Sequence, residues 1–148
     1  SDVLVITASL RNGGAVTHWL VENEFGTQNR PISVIAAGER WPNDDSLRPS
    51  VEDLLGAGYV ISGLVDAGCK PSVEAMMAAN AFRSIIDVDH LSETVRECAS
   101  GQELIADGYS QDVKVASALN ADDVVPAAID GAFENVRNSR LAELKRSS

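Results

Sequence analysis

Two rhythms of apolar side chains alternate along the first third of the chain. VLVITA at 3–8 is unbroken, the pattern of a strand covered on both faces, and ISVIAA at 32–37 repeats it. Between them AVTHWLVENEF spaces Ala15, Val16, Trp19 and Leu20 as one face of a helix. Strand, helix and strand joined by the short polar return GTQNRP predict a βαβ unit with parallel strands and a right-handed crossover. The expected fold class is α/β: a mixed, largely parallel sheet with helices on both faces.

Helical spacing then dominates. Val51, Leu54, Leu55 and Tyr59 predict a helix beginning near Pro49, with Ser50 as N-cap and Asp53 three residues on as the partner in a capping box. Gly56 and Gly58 leave its end open, since each disfavours a helix interior by about 1 kcal/mol relative to Ala. Further helices are predicted from Pro71, around 90–95, from Ser100 to Gly108, and from Ser110 to about Leu119. Val124 and Val125 read as extended, 127–130 as an edge strand with Pro126 at its end, and 137–148 as a polar helix. No repeat or linker interrupts the chain, so residues 1–148 are expected to form a single α/β domain. The first strand starts at once, without the usual polar lead, which predicts the C-terminal part of a longer protein.

Charge narrows the choice of partners. Twelve basic against 22 acidic side chains give a formal net charge of −10, which repels phosphate backbones and anionic lipid, and no apolar run reaches the roughly 18 to 20 residues of a membrane span. Neither nucleic acid nor a membrane is the expected partner. Cys69 and Cys98 stand apart, without zinc-ligand spacing, and read as reduced thiols. With no secretory signal at the start, they favour a cytoplasmic location. A small anion remains compatible with the acidic chain, because one Arg in a cleft overrides the global sign at short range. A homo-oligomer is equally compatible.

Candidate chemistry falls in the two segments that follow the predicted strands, where helix N-termini offer unpaired N–H groups. In SLRNGG at 9–14, Arg11 supplies a phosphate-matching fork, Asn12 an amide donor, and two glycines close backbone approach. The same residues also suit a tight turn whose Arg pairs with a nearby acid. In GERWPNDDSLRPSVED at 38–53, Glu39, Glu52 and Asp53 offer hard oxygen donors for a divalent ion, although acids in a first helical turn also suit the helix dipole without any ligand. His18 and His90 read as packed or surface side chains, and no G-x-S-x-G nucleophile elbow is present.

Three blocks in this order, LVITASLRNGGAV, VIAAGERWPNDDSLRPSVEDLLGAG and ECASGQELIADGYSQDVKVASALNADDVVPAAIDGAF, resemble the 2-phosphosulfolactate phosphatase (ComB-type) family over residues 3 to 133. The resemblance implies a magnesium-dependent phosphatase of mixed α/β fold, of the kind used in coenzyme M biosynthesis. Its substrate would be a small anionic phosphoester, 2-phospho-3-sulfolactate or a similar 2-phospho acid. It implies Arg11 and Asn12 as phosphate donors, Glu39, Glu52 and Asp53 as acids near Mg2+, and Glu39 and Asp53 as the catalytic pair. Arg40 or Arg48 would hold the sulfonate or carboxylate, with Ser100 and Asp112 completing the set. The family's Asp-Val-Leu-Arg-Ala-type and Ser-Pro-Asn-Gly-type motifs are missing here. The competing reading is therefore a non-catalytic α/β binding or assembly module.

Overall fold

The computed structural model describes residues 3–41, 43–86 and 88–141, with the backbone alone at 88 and 89. Six helices are described: α1 (Gly13–Glu22), α2 (Val51–Asp66), α3 (Val73–Arg83), α4 (Val88–Glu97), α5 (Ala99–Ala106) and α6 (Ser110–Ala116). The strands are short: β1 (Glu39–Arg40) pairs antiparallel with β2 (Leu47–Arg48), and β3 (Pro126–Ile129) with β4 (Ala132–Asn135). Of the predicted tail helix, 137–140 is turn and irregular backbone, and the part beyond Leu141 lies outside the described residues.

The expected parallel sheet is overturned, since the described residues form only two antiparallel two-stranded sheets in a mostly helical molecule. The first apolar run does lie beside a strand, but that strand is β3. Thr7 N donates to the Pro126 carbonyl at 3.0 Å and Ala128 N to the Val5 carbonyl at 2.8 Å, around an antiparallel bridge between Ile6 and Ala127. The second run, 32–37, is in no strand. Ile32 packs on a core while Ile35 is 84% exposed, and Val3 on the first run is 82% exposed, so neither run is covered on both faces. An apolar run signals extended, buried backbone but does not name its neighbour; here residues 126–128 took the place the βαβ reading gave to 32–37.

β3 and β4 form a hairpin that the sequence reading missed beyond its first strand. Asp130 and Gly131, at φ 48° and 86°, make the two-residue connection between the paired Ile129 and Ala132. Two left-handed residues match the twist of the flanking strands, and Asp-Gly is a favoured pair for that turn.

Two cores flank α2. One joins Val16, Trp19 and Leu20 of α1 to Val60 and Leu64 of α2 and to Val125, Ala127 and Val136. The other gathers Leu10, Leu55, Phe82, Leu91, Val95 and Val113. Trp19, 1% exposed, also donates its indole N–H to the Ser139 carbonyl at 2.9 Å, so its one polar atom is satisfied. The glycines that blurred the end of α2 in the sequence do not stop it: a Cβ at Gly56 would meet open space, whereas Gly58 lies directly on α3.

A Cβ at Gly58 would strike the Ala78 carbonyl and come within 3.0 Å of Phe82 Cβ. Gly58→Ala therefore sets about 1 kcal/mol of helix propensity against an overpacking cost of about 1 to 3 kcal/mol. Net destabilisation is expected in urea unfolding; a stabilised variant would mean that α2 and α3 do not touch at this point.

Candidate functional site

The charged connection 38–53 is largely self-bonded. Arg40 Nη1 donates to the Asp45 carbonyl at 2.6 Å and to its carboxylate at 3.2 Å, while Asp44 Oδ1 accepts from Ser46 N at 3.0 Å and Ser46 Oγ at 2.6 Å. Those bonds from Ser46 hold the Asp44 carboxyl below its usual range. Arg40, Asp44 and Asp45 thus close the β1–β2 hairpin, and the charge there has a local structural purpose.

What remains of the connection converges on Arg48. Register places Glu39 opposite Arg48 in the hairpin. The guanidinium donates to Glu103 of α5 through Nη1 at 2.6 Å and Nη2 at 2.8 Å, and Nη2 also reaches Ser100 Oγ at 3.4 Å. Trp41 covers it, its ring centroid 5.1 Å from Cζ. Two parallel N–H donations to one carboxylate form the fork geometry in which Arg binds acids most tightly. Bonding to Glu103, its charge, and the nearby charges of Glu39 and Glu52 raise the Arg48 pKa and keep it ionised; the Glu103 carboxyl is correspondingly lowered, chiefly by those same bonds.

Two helix N-termini meet beside this pair. The Cys98 thiol, N-cap of α5, accepts from Gly101 N at 3.4 Å and has two acceptors for its one proton, the Val95 carbonyl at 3.1 Å and Glu52 Oε2 in the first turn of α2 at 3.4 Å. Burial, then the Glu52 carboxylate, pushes the Cys98 pKa up, so the sulfur stays a protonated donor and is a poor nucleophile. Ser50 holds the predicted N-cap position of α2, though its side chain makes no cap bond, and α5, predicted to start at Ser100, starts at Ala99 with Cys98 as its cap. Asp53 turns instead to the hairpin, accepting from Gly38 N at 2.8 Å. Ser50 Oγ is buried without a hydrogen-bond partner among the described residues.

Arg11 and Asn12 are engaged elsewhere. Arg11 donates from Nε at 2.6 Å and Nη2 at 3.1 Å to the two Asp122 oxygens, and from Nη1 at 2.7 Å to the Val115 carbonyl. Asn12, 6% exposed, accepts from Ser9 N and Ser9 Oγ and donates to the Thr7 and Val124 carbonyls. Gly14 N donates to Asn120 Oδ1 at 3.1 Å, which also accepts from Tyr59 OH at 2.7 Å. The donors that suggested an anion loop are met by the segment 115–124, and among the described residues no hydrogen bond or ion pair joins Arg11 to Glu39. Asp112 lies exposed in the first turn of α6. Sequence reasoning missed the partners Glu103, Asp122 and Trp41; only the block holding Ser100 and Glu103 carried a signal for the first of them.

A family model described as 2-phosphosulpholactate phosphatase matches residues 2–131. The chain belongs to that family. The match takes in both polar clusters, the one around Arg11 and the one around Arg48. Among curated proteins no sequence matches the chain. No helix among the described residues is long and apolar enough to cross a membrane.

At this site Arg48 is buried beneath Trp41, while the Glu39 and Glu103 side chains are exposed. Surface grooves of about 620 and 470 Å3 lie elsewhere, the first beside Phe25 and Arg30, the second between 32–36 and the helices α2 and α3, and Arg48, Glu39 and Glu103 line neither. Among the described residues no three His, Cys, Asp or Glu side chains gather closely enough to cage a metal. Magnesium does not require a cage: one or two carboxylates suffice when waters and substrate oxygens complete its shell. Glu39, Glu52 and Asp53 are hard donors of that kind, but the three do not gather as one set.

Hydrogen bonds from Arg11, reinforced by its charge, hold the Asp122 carboxyl below its usual range. A group whose folded pKa lies under its unfolded value, about 3.9 for Asp, contributes stability above that value. The contribution is lost as pH falls through the folded pKa. Asp122→Asn should lower stability at neutral pH and flatten the acid limb of the stability profile, measured by urea unfolding between about pH 2 and 6. An unaltered acid limb would mean that Asp122 and Arg11 are not paired in solution.

Proposed function

We propose that the chain is a magnesium-dependent phosphatase that hydrolyses the phosphate monoester of 2-phosphosulfolactate or a similar 2-phospho acid. The observation that carries this reading is the gathering of Arg48, Glu39, Glu52, Asp53 and Ser100 where α2 and α5 begin, in a chain of this family.

One or two of Glu39, Glu52 and Asp53 would hold the magnesium, with waters and substrate oxygens completing its shell, and its charge, when bound, offsets that of the phosphate oxygens. The chain's own groups supply the rest. Asp53 is aimed by the Gly38 N–H, which leaves its other oxygen to orient an attacking water. Glu39, on a two-residue strand with its side chain exposed, accepts the proton that water loses as it adds to phosphorus. The phosphorus–oxygen ester bond breaks, and the alkoxide leaving group is protonated from solvent, which reaches the exposed Glu39 and Glu103 side chains. Arg48, and Arg40 at the hairpin end, take the sulfonate or carboxylate of the substrate, and Ser100 donates to a phosphate oxygen. Arg11 and Asn12 serve by fixing the segment 7–12 against 115–124.

Phosphate release from 2-phospho-3-sulfolactate and from 2-phospholactate should require magnesium and stop with a chelator. Asp53→Asn should lower kcat by roughly a hundredfold or more, the scale of a lost acid–base or orienting group, without lowering the melting temperature by more than a few degrees. Absence of magnesium-dependent release from both substrates would refute the reading.

A further inference from the structure

Arg48 is the cation at the centre of the site proposed above, yet its fork is already filled. Three acids surround it: Glu103 in direct contact, and Glu39 and Glu52 close enough to shift its ionisation. A dianion approaching this arrangement meets more negative charge than positive. The two partners of the ion pair are held very differently. The Arg48 side chain is 11% exposed, covered by Trp41 and touched by Ser100, whereas the Glu103 side chain is 59% exposed on the outer part of α5. When the pair opens, Glu103 swings into water at little cost, and the guanidinium stays where the ring and the hydroxyl hold it.

We infer that Glu103 is an internal stand-in for a ligand's acid group: it closes the Arg48 fork in the free protein and is displaced when a carboxylate, sulfonate or phosphate binds there. Glu103 thereby regulates the site proposed above, and the inference rests on that reading only in taking Arg48 as the seat of a substrate anion. A fork built for one planar acid accepts another with matching oxygens, so the geometry that holds Glu103 at 2.6 and 2.8 Å is also the recognition geometry. Displacement also removes one negative charge from beside the incoming anion. The closed latch lowers apparent affinity by the fraction of molecules in which the fork is open, so a latch shut in about nine molecules of ten weakens binding about tenfold.

Sulfate is a suitable probe, because it engages the fork without turnover and needs no metal. Calorimetric titration at constant ionic strength should give weak binding to the unaltered chain and about tenfold tighter binding to Glu103→Gln. Glu103→Asp, one methylene too short to close the fork, should fall between them. Adding Arg48→Gln to Glu103→Gln should abolish the gain. Equal affinity of Glu103→Gln and the unaltered chain would overturn the inference, as would a gain that survives loss of Arg48. A fall in melting temperature of both Glu103 variants without any gain in sulfate affinity would also overturn it, by making the pair a structural pin. Turnover separates the two proposals. Tighter sulfate binding in a protein that releases no phosphate from 2-phospho acids supports the latch and removes the phosphatase. Phosphate release with a KM unmoved by Glu103→Gln removes the latch and keeps the phosphatase.

Discussion

The close approach of α2 and α3 at Gly58 fixes where everything else can be. With no side chain at that position, the backbone of α2 settles onto the Ala78 carbonyl and against Phe82. The helix then enters both cores at once, Leu55 into one and Val60 and Leu64 into the other. A helix held along most of its 16 residues has a fixed first turn, and that turn carries Glu52 and Asp53. The β1–β2 hairpin is too small to fold by itself; Asp53 ties it to α2 through Gly38 N, and Arg48 ties it to α5 through Glu103. The site is thus assembled on a rigid helix end, which is where positioning of reacting groups is most secure.

Sign is the second constraint. On the proposed reading, a chain of net charge −10 has to offer positive charge locally, yet around Arg48 one guanidinium faces three acids and the cluster is net negative as it stands. Such a cluster keeps anions away until something neutralises it. On the same reading, a divalent ion held by these acids and the departure of Glu103 would each act in that direction, although losing the Glu103 charge weakens the local field that attracts a cation. An uncharged ligand would then gain nothing at Arg48, since it offers no acid group to take the place of the Glu103 carboxylate.

Local signals in the sequence were legible where the physics is local. The spacing of Val16, Trp19 and Leu20, the Ser72 hydroxyl that accepts from Ala75 N, and the Gly108 stop after α5 all declare helices, and those helices form. The sheet was not legible, because VLVITA and ISVIAA specify extended, partly buried backbone and leave open which segment lies alongside; pairing with 126–128 is a contact across 120 residues that no short pattern encodes. The Asp130-Gly131 turn was readable and was missed. For the site, Glu39, Arg48, Glu52 and Asp53 could be named from one loop. The Glu103 partner of Arg48, 55 residues on, and the Asp122 partner of Arg11, 111 residues on, depend on tertiary folding. Without them the two arginines look alike.

Those partners separate an arginine that builds from one that can bind. Every nitrogen of the Arg11 guanidinium has an acceptor within the chain, one of them the Val115 backbone carbonyl. A carbonyl fixed in the main chain cannot swing away, so an incoming anion would have to break a bond that has no cheap substitute. Asn12 is committed in the same way, its amide wedged between the Thr7 and Val124 carbonyls. Arg48 differs at the decisive point: its hydrogen-bond acceptors among the described residues are all side chains, the strongest of them more than half exposed, and water can solvate that carboxylate fully once it is released. Exchange of one acid for another on a retained guanidinium leaves the number of charge-assisted bonds unchanged. The free-energy difference between closed and occupied states is then small enough for ligand concentration to control.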